Sequence, residues 1–333
     1  MAERTGSVGA ARPAADAVVV VPNPWPANAS FRADGMWIAG QSAVALAGRY
    51  GTPLLVFDRS DLVARLRSAE RAFPKTFYAV KALSAHAMLR LAADEGLDLL
   101  AASGGEVDAC MRAGIAPARI ALHGRNKSDD ELEQAIEGRV GLLIADGLDE
   151  IRRVDAFAGT AGIVQPFLMR VNPGVRVDTH ESIATGHEST AFGVPAADAA
   201  PTIAAASSLA NVRFLGLHAH IGSQVPTSEP FMRELHVLIE LALKLREDNG
   251  IAVEMLDMGG GFAITYTDER TPSIADIAAA AERRLRVPCA EMGLPVRRLR
   301  RQTLDGWYTP DGVLEWVESA ADYLPNSPTA TNM

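Results

Sequence analysis

From Leu54 onward, short apolar runs alternate with longer amphipathic stretches, and this rhythm constrains the fold more than any other feature of the chain. LLVFD at 54–58 precedes a helical pattern opening at Ser60-Asp61, and TFYAV at 76–80 precedes another from Ser84. The runs continue as LDLL at 97–100, RIAL at 119–122, VGLLIA at 140–145, FLMRV at 167–171, VRFLGLHAH at 212–220 and VEMLDM at 253–258. Helical patterns fill the intervals; in SDDELEQAIEG, Ser128 and Glu131 have the spacing of a capping box. Strands alternating with helices build βαβ units and a parallel α/β sheet. Counting from TFYAV gives seven strands, one short of a (β/α)8 TIM barrel, although a doubly wound sheet would give a similar string.

The polar residues favour the barrel. Lys81 follows the first strand, Ser103-Gly104-Gly105-Glu106 the second and His123-Gly124 the third. Arg170 and Asn172 close the fifth, His218, His220 and Ser223 the sixth, and Gly259-Gly260-Gly261 the seventh. Barrels collect their chemistry at this end of the strands.

Lys81 ends a run of aromatic and β-branched residues, FYAVKA, where an ammonium is costly to bury. Either it turns outward, as a lone surface lysine would, or the site wants an amine whose pKa is lowered by partial burial in a dry, fixed position. The triple glycine is either a flexible turn or a place where backbone N–H groups approach an anion. A lysine at strand one and a phosphate cradle at strand seven together suit an aldehyde cofactor carrying a phosphate, and pyridoxal phosphate fits.

The motifs FYAVKA, SGGEVDA, HGRNKS, RVNPGV with THESIATG and FGV, GLHAHIGSQ and LDMGGGF stand in the order and spacing of the fold-type III pyridoxal-phosphate decarboxylases. The sequence resembles that family over about residues 50 to 296. Within it, THESIATG and GLHAHIGSQ are most similar to the diaminopimelate decarboxylase group. The resemblance implies a barrel of the alanine racemase kind and decarboxylation of meso-2,6-diaminopimelate to L-lysine. It implies Lys81 as the cofactor's attachment point, His220 over the ring, Ser223 near the phosphate, and Gly259, Gly260 and Gly261 as phosphate donors. Arg170 is either an ion-pair partner at a strand end or part of the cofactor's surroundings. His218 alternates with His220 and reads as structural, as do His86, His180, His187 and Cys110.

The chain also departs from the pattern. Leu100 stands where the family usually has Asp, and Arg125 where Asn is common. After CAEMGLPV the family continues into a Glu-Pro-Gly-Arg segment that pairs with the ring nitrogen and the phosphate; here residues 297–333 diverge. The expected organisation is an N-terminal extension over 1–50, with residues 1 to about 30 mobile, a pyridoxal-phosphate barrel over 51–296, and a divergent, truncated or frameshifted tail. The barrel is then incomplete at strand eight and lacks most of the family's C-terminal β-domain. Activity is expected to be impaired, and the family's homodimer loses part of its basis. The alternatives are an inactive cofactor-binding barrel and a related basic amino-acid decarboxylase.

A net charge of -9 argues against nucleic acid or an anionic membrane as partner, and leaves a small amino acid as the expected one. Two cysteines without ligand spacing and no long apolar segment make cytoplasmic the expected location.

Overall fold

The computed structural model describes residues 19–20, 25–177, 192–266 and 269–291. The described residues fall into two compact units, one within 1–65 and 264–270 and the other within 66–263 and 271–333.

In the first unit, β1 (Val19–Val20), β2 (Ala29–Arg32), β3 (Gly35–Ile38) and β4 (Gln41–Ser42) form an antiparallel sheet in sequence order. Helix α1 (Ala43–Tyr50) follows, its N-cap Ser42 accepting from the Ala45 N–H at 3.4 Å. Residues 25–50 are therefore folded, where the sequence reads as part of an extension. The two-residue Ala33-Asp34 turn closes this hairpin, with Arg32 paired to Gly35. LLVFD forms no strand: Leu55 and Phe57 face solvent at 83% and 54% exposure, and no neighbouring strand among the described residues pairs with it. Its last residue, Asp58, instead accepts from the Ser60 and Asp61 N–H groups and starts helix α2 (Arg59–Ala72).

The second unit holds the seven expected strands: β5 (Phe77–Ala79), β6 (Asp98–Ala101), β7 (Ile120–Leu122), β8 (Leu142–Ala145), β9 (Gln165–Asn172), β11 (Val212–His218) and β12 (Met255–Asp257). All pair in parallel, and a two-residue strand, β10 (Val194–Pro195), pairs with β9 off the main path. Their spatial order follows the chain from β5 to β12, without the reversal of a doubly wound sheet. The intervening helices are α3 (His86–Asp94), α4 (Gly104–Arg112), α5 (Asp129–Glu137), α6 (Leu148–Ala161), α7 (Ala196–Ser207) and α8 (Glu229–Asn249), with α9 (Ile274–Glu291) after β12. Ser128 and Glu131 form both halves of the capping box that starts α5.

Period-two alternation sorts the strand residues onto two faces. Leu143, Ala145, Phe167, Met169 and Leu217 pack outward against the helices. Ala121, Leu142, Ile144, Leu168 and Leu215 point inward, and Phe77 of β5 and Met255 of β12 pack on that same inner cluster. Residues from opposite edges can share one cluster only if the sheet curls toward closure. Among the described residues β5 and β12 do not pair, so the barrel stays open where an eighth strand would stand. Leu100, the residue in the family's Asp position, belongs to this inner packing.

Candidate active site

The C-terminal strand ends of the second unit deliver the site. After β5 the chain makes a tight turn over Val80–Ala82, with the Leu83 N–H on the Val80 carbonyl at 3.1 Å and the Tyr78 hydroxyl on the Leu83 carbonyl at 3.2 Å. Val80 is fully buried and anchors the turn. Lys81 is thereby directed outward and is exposed, so the dry position expected for its amine is not found. The turn fixes its origin instead. Its charge is felt at both His123 and His220, which stand at the same end of the sheet.

His220, after β11, is partly buried, and burial first, then His218, Arg170 and Lys81, push its pKa down to about 3. His123, after β7, is pushed to about 3 by burial and then by His218, Lys81, Arg170 and Lys127. Both rings are neutral at ordinary pH. His218 is 3% exposed and places Nδ1 2.9 Å from Asp257 Oδ2, the structural role its alternation with His220 suggests. Burial pushes the Asp257 carboxyl up, but His218 and the Gly259 N–H outweigh it and hold the group below its usual range.

The triple glycine divides its labour. The Gly259 N–H is donated to Asp257 Oδ1 at 2.7 Å, and the Gly260 N–H reaches His220 Nδ1 at 3.4 Å. Two of the three expected anion donors are therefore turned inward, which corrects the reading of LDMGGG as a row of free N–H groups. Gly259 has φ +63°, and a Cβ there would stand 2.5 Å from the Ala219 carbonyl oxygen. Gly260 differs: a Cβ on it would meet nothing within 4 Å, so open space lies in front of it. Val225 donates to the Gly261 carbonyl at 2.9 Å and bridges to Phe262, which ties the glycine loop to the one carrying Ser223. Ser223 is exposed at that junction.

Arg170 is 7% exposed and lies 4.4 Å from the ring centre of Phe192, the first residue of FGV. Asp146, Asp257 and Glu234 are the carboxyls whose charge reaches it. Glu234, on α8, is fully buried, and neither of its oxygens has a hydrogen-bond partner among the described residues. Burial, then Asp257, push its pKa well above the usual range against the opposing Arg170.

HGRNKS holds a feature that sequence reasoning missed. Lys127 is buried, and its ammonium donates to the Gly124 carbonyl at 2.8 Å, the Ile144 carbonyl at 2.9 Å and Glu150 Oε1 at 2.6 Å. It pins the His123 turn to the end of β8. Glu150 lies five residues past the end of β8, in the first turn of α6, and nothing in the sequence pairs it with Lys127. In SGGEVDA the residues cap and pack α4: Ser103 Oγ accepts from the Glu106 N–H, Glu106 accepts from the Ala102 N–H, and Gly104 leaves room for Gln134. The THESIATG motif, with His180 and His187, lies outside the described residues, as does the tail from 292.

These residues suit a phosphorylated aldehyde on their own geometry: an exposed lysine on a fixed turn at Lys81, open space before Gly260, and a buried ring nitrogen, His123 Nε2, without a partner among the described residues. Among the described residues no cluster could hold a metal ion, and no helix is long and apolar enough to cross a membrane.

Comparison with known proteins agrees. Residues 59–294 match the family model of the pyridoxal-dependent decarboxylases, pyridoxal binding domain. Diaminopimelate decarboxylase of Mycobacterium leprae is 38% identical over 299 residues, covering 86% of this chain and 63% of that protein. The Bacillus subtilis enzyme of the same name is 35% identical over 243 residues, covering 71% of this chain and 55% of its own. The crystal structure of diaminopimelate decarboxylase from Helicobacter pylori complexed with L-lysine superposes with a TM-score of 0.69 at 28% identity, over 73% of this chain and 63% of that one. The chain thus spans less than two thirds of the length of these relatives.

Proposed function

The chain belongs to the pyridoxal-dependent decarboxylases through their pyridoxal binding domain, and from that premise we propose that Lys81 holds pyridoxal phosphate and that the site decarboxylates meso-2,6-diaminopimelate to L-lysine. The observation carrying this reading is the gathering of Lys81, His220 and the glycine loop at one end of a sequentially ordered parallel sheet. The likeness to several diaminopimelate decarboxylases supports the substrate.

Bound there, pyridoxal phosphate supplies an electron sink for the pair left behind as the carboxylate departs. The chain's own groups supply placement. Lys81, on its fixed turn, presents the amine. His220, neutral and braced by the Gly260 N–H, offers an uncharged ring beside it. Gly260 faces the open space that suits a phosphate, with Ser223 exposed on the neighbouring loop. Arg170, against the Phe192 ring and within reach of the Asp146, Asp257 and Glu234 charges, is a cation that favours anionic groups.

Borohydride reduction after mixing with pyridoxal phosphate, followed by peptide mapping, tests the attachment: a reduced adduct on Lys81 is expected, and one on any other lysine refutes the assignment. Carbon dioxide release from meso-diaminopimelate, against L-ornithine and L-arginine, tests the substrate; preference for either of the latter two moves the chain to a related basic amino-acid decarboxylase. A second reading, cofactor binding without turnover, is favoured by the divergence of residues 297–333 from the family's pattern. It predicts the Lys81 adduct with no carbon dioxide.

A further inference from the structure

His123 has no role in the reading above, yet its surroundings are unusual. Nε2 is buried and makes no hydrogen bond among the described residues. The charges of Lys81, Arg170 and Lys127 act on the ring, with His218 and Asp257 also within reach. Lys127 cannot complete it, since an ammonium offers no acceptor and its protons go to Gly124, Ile144 and Glu150. A buried ring nitrogen without a partner costs on the order of 1–3 kcal/mol, and with the proton on Nε2 it persists where a ligand's acceptor completes it. Cations on several sides select an anionic oxygen as that acceptor.

The aldehyde carbon that Lys81 would engage has a phenolic oxygen on the adjacent ring carbon of pyridoxal. A donor at a strand end within reach of the Lys81 charge suits that oxygen. Resting on the reading that Lys81 holds pyridoxal phosphate, we propose that His123 is a cofactor-binding residue whose Nε2–H donates a hydrogen bond to the phenolic oxygen. Gly124, with φ +118° and its Cβ position 2.8 Å from the Ala102 carbonyl oxygen, together with the buried Lys127, holds the turn that aims the ring.

The test is a pH titration of the visible absorbance of the full chain loaded with pyridoxal phosphate. A hydrogen bond to the phenolate lowers the proton affinity of the chromophore, so its loss raises it. The midpoint in His123→Phe is expected to move upward by about one pH unit, a tenfold change. His123→Gln, which keeps an N–H donor, stays nearer the unsubstituted protein. An unmoved midpoint in His123→Phe overturns the inference while leaving Lys81 in place. A difference that arises only after L-lysine is added also overturns it, since the partner is then a substrate carboxylate. Should the variants fail to fold, the unsubstituted protein still decides: the cofactor analogue lacking the phenolic hydroxyl is expected to bind about tenfold more weakly, and equal binding overturns the proposal. Absence of any visible band in the unsubstituted protein refutes the reading of Lys81 itself, and this inference with it.

Discussion

His218 and Asp257, the last residues of two adjacent parallel strands, meet at 2.9 Å, and the other oxygen of Asp257 accepts from the Gly259 N–H at 2.7 Å. One carboxylate thereby couples the end of β11 to the start of the glycine loop. Replacing Asp257 by Ala takes the carboxylate away from the imidazole and leaves the Gly259 N–H without its acceptor. A loss of about 2–4 kcal/mol in unfolding free energy is expected, with Asp257→Asn milder because it keeps an acceptor for Gly259. Urea denaturation of the two variants measures it; equal losses would show that the Gly259 contact contributes nothing.

The glycines of the loop separate by conformation. Gly259→Ala forces a Cβ against the Ala219 carbonyl and His220 at φ +63°, and should cost about 1–3 kcal/mol of stability. Gly260→Ala meets open space, so its melting temperature should stay close to that of the unsubstituted protein. Its methyl group occupies the region proposed for the phosphate, and pyridoxal phosphate should bind about tenfold or more weakly. A large drop in melting temperature for Gly260→Ala, or undiminished cofactor affinity, contradicts that division.

Lys127 and Glu150 are a buried pair at 2.6 Å. Lys127→Met strands a carboxylate in the interior and should cost about 3–5 kcal/mol, while the double variant Lys127→Met/Glu150→Leu should recover much of the loss. A double-mutant cycle by thermal denaturation reads the coupling. Additive losses would mean that the carbonyl contacts, not Glu150, hold the lysine.

Much of this was legible in advance, for identifiable reasons. The seven strands show as apolar runs because each is covered on both faces, and Ser128 announces α5 because a capping box is local. Lys81 stands out as a cation on an apolar run. LLVFD misled because its apolar residues mimic a strand, whereas a strand also needs a neighbour, which composition does not reveal. The inward turn of the Gly259 and Gly260 N–H groups was hidden for the same reason: their acceptors, Asp257 and His220, are specified by the loop's path. Lys127, 23 residues from Glu150, carries no sign that its charge is buried.

Protonation should weaken the cofactor-free protein in acid. His123 and His220 bind a proton only near pH 3 when folded, against about 6.5 when unfolded. The unfolded chain therefore gains protons first, and stability falls as pH drops below about 6.5, by up to ~1.4 kcal/mol per pH unit for each ring. Glu234 acts with the opposite sign: its raised folded value means that stability is lost as pH climbs above the unfolded value near 4.5. Glu234→Gln removes that term and should be more stable than the parent at pH 8 than at pH 5. Denaturation curves across this range check both signs, and a profile flat from pH 7 to pH 4 rules out the histidine contribution.

The in-order sheet also bears on how the chain reaches its native state. Each strand from β5 to β9 lies beside the one made just before it, with one short βα unit between them. Contacts of such short sequence separation form quickly, since little loop entropy is surrendered at each step. During synthesis from the N-terminus, β5 through β8 can assemble behind the ribosome before β11 and β12 exist. The edge at β12 is then the last to be added, so the loop bearing Gly259, Gly260 and Gly261 takes its shape on a surface the earlier strands have already laid down.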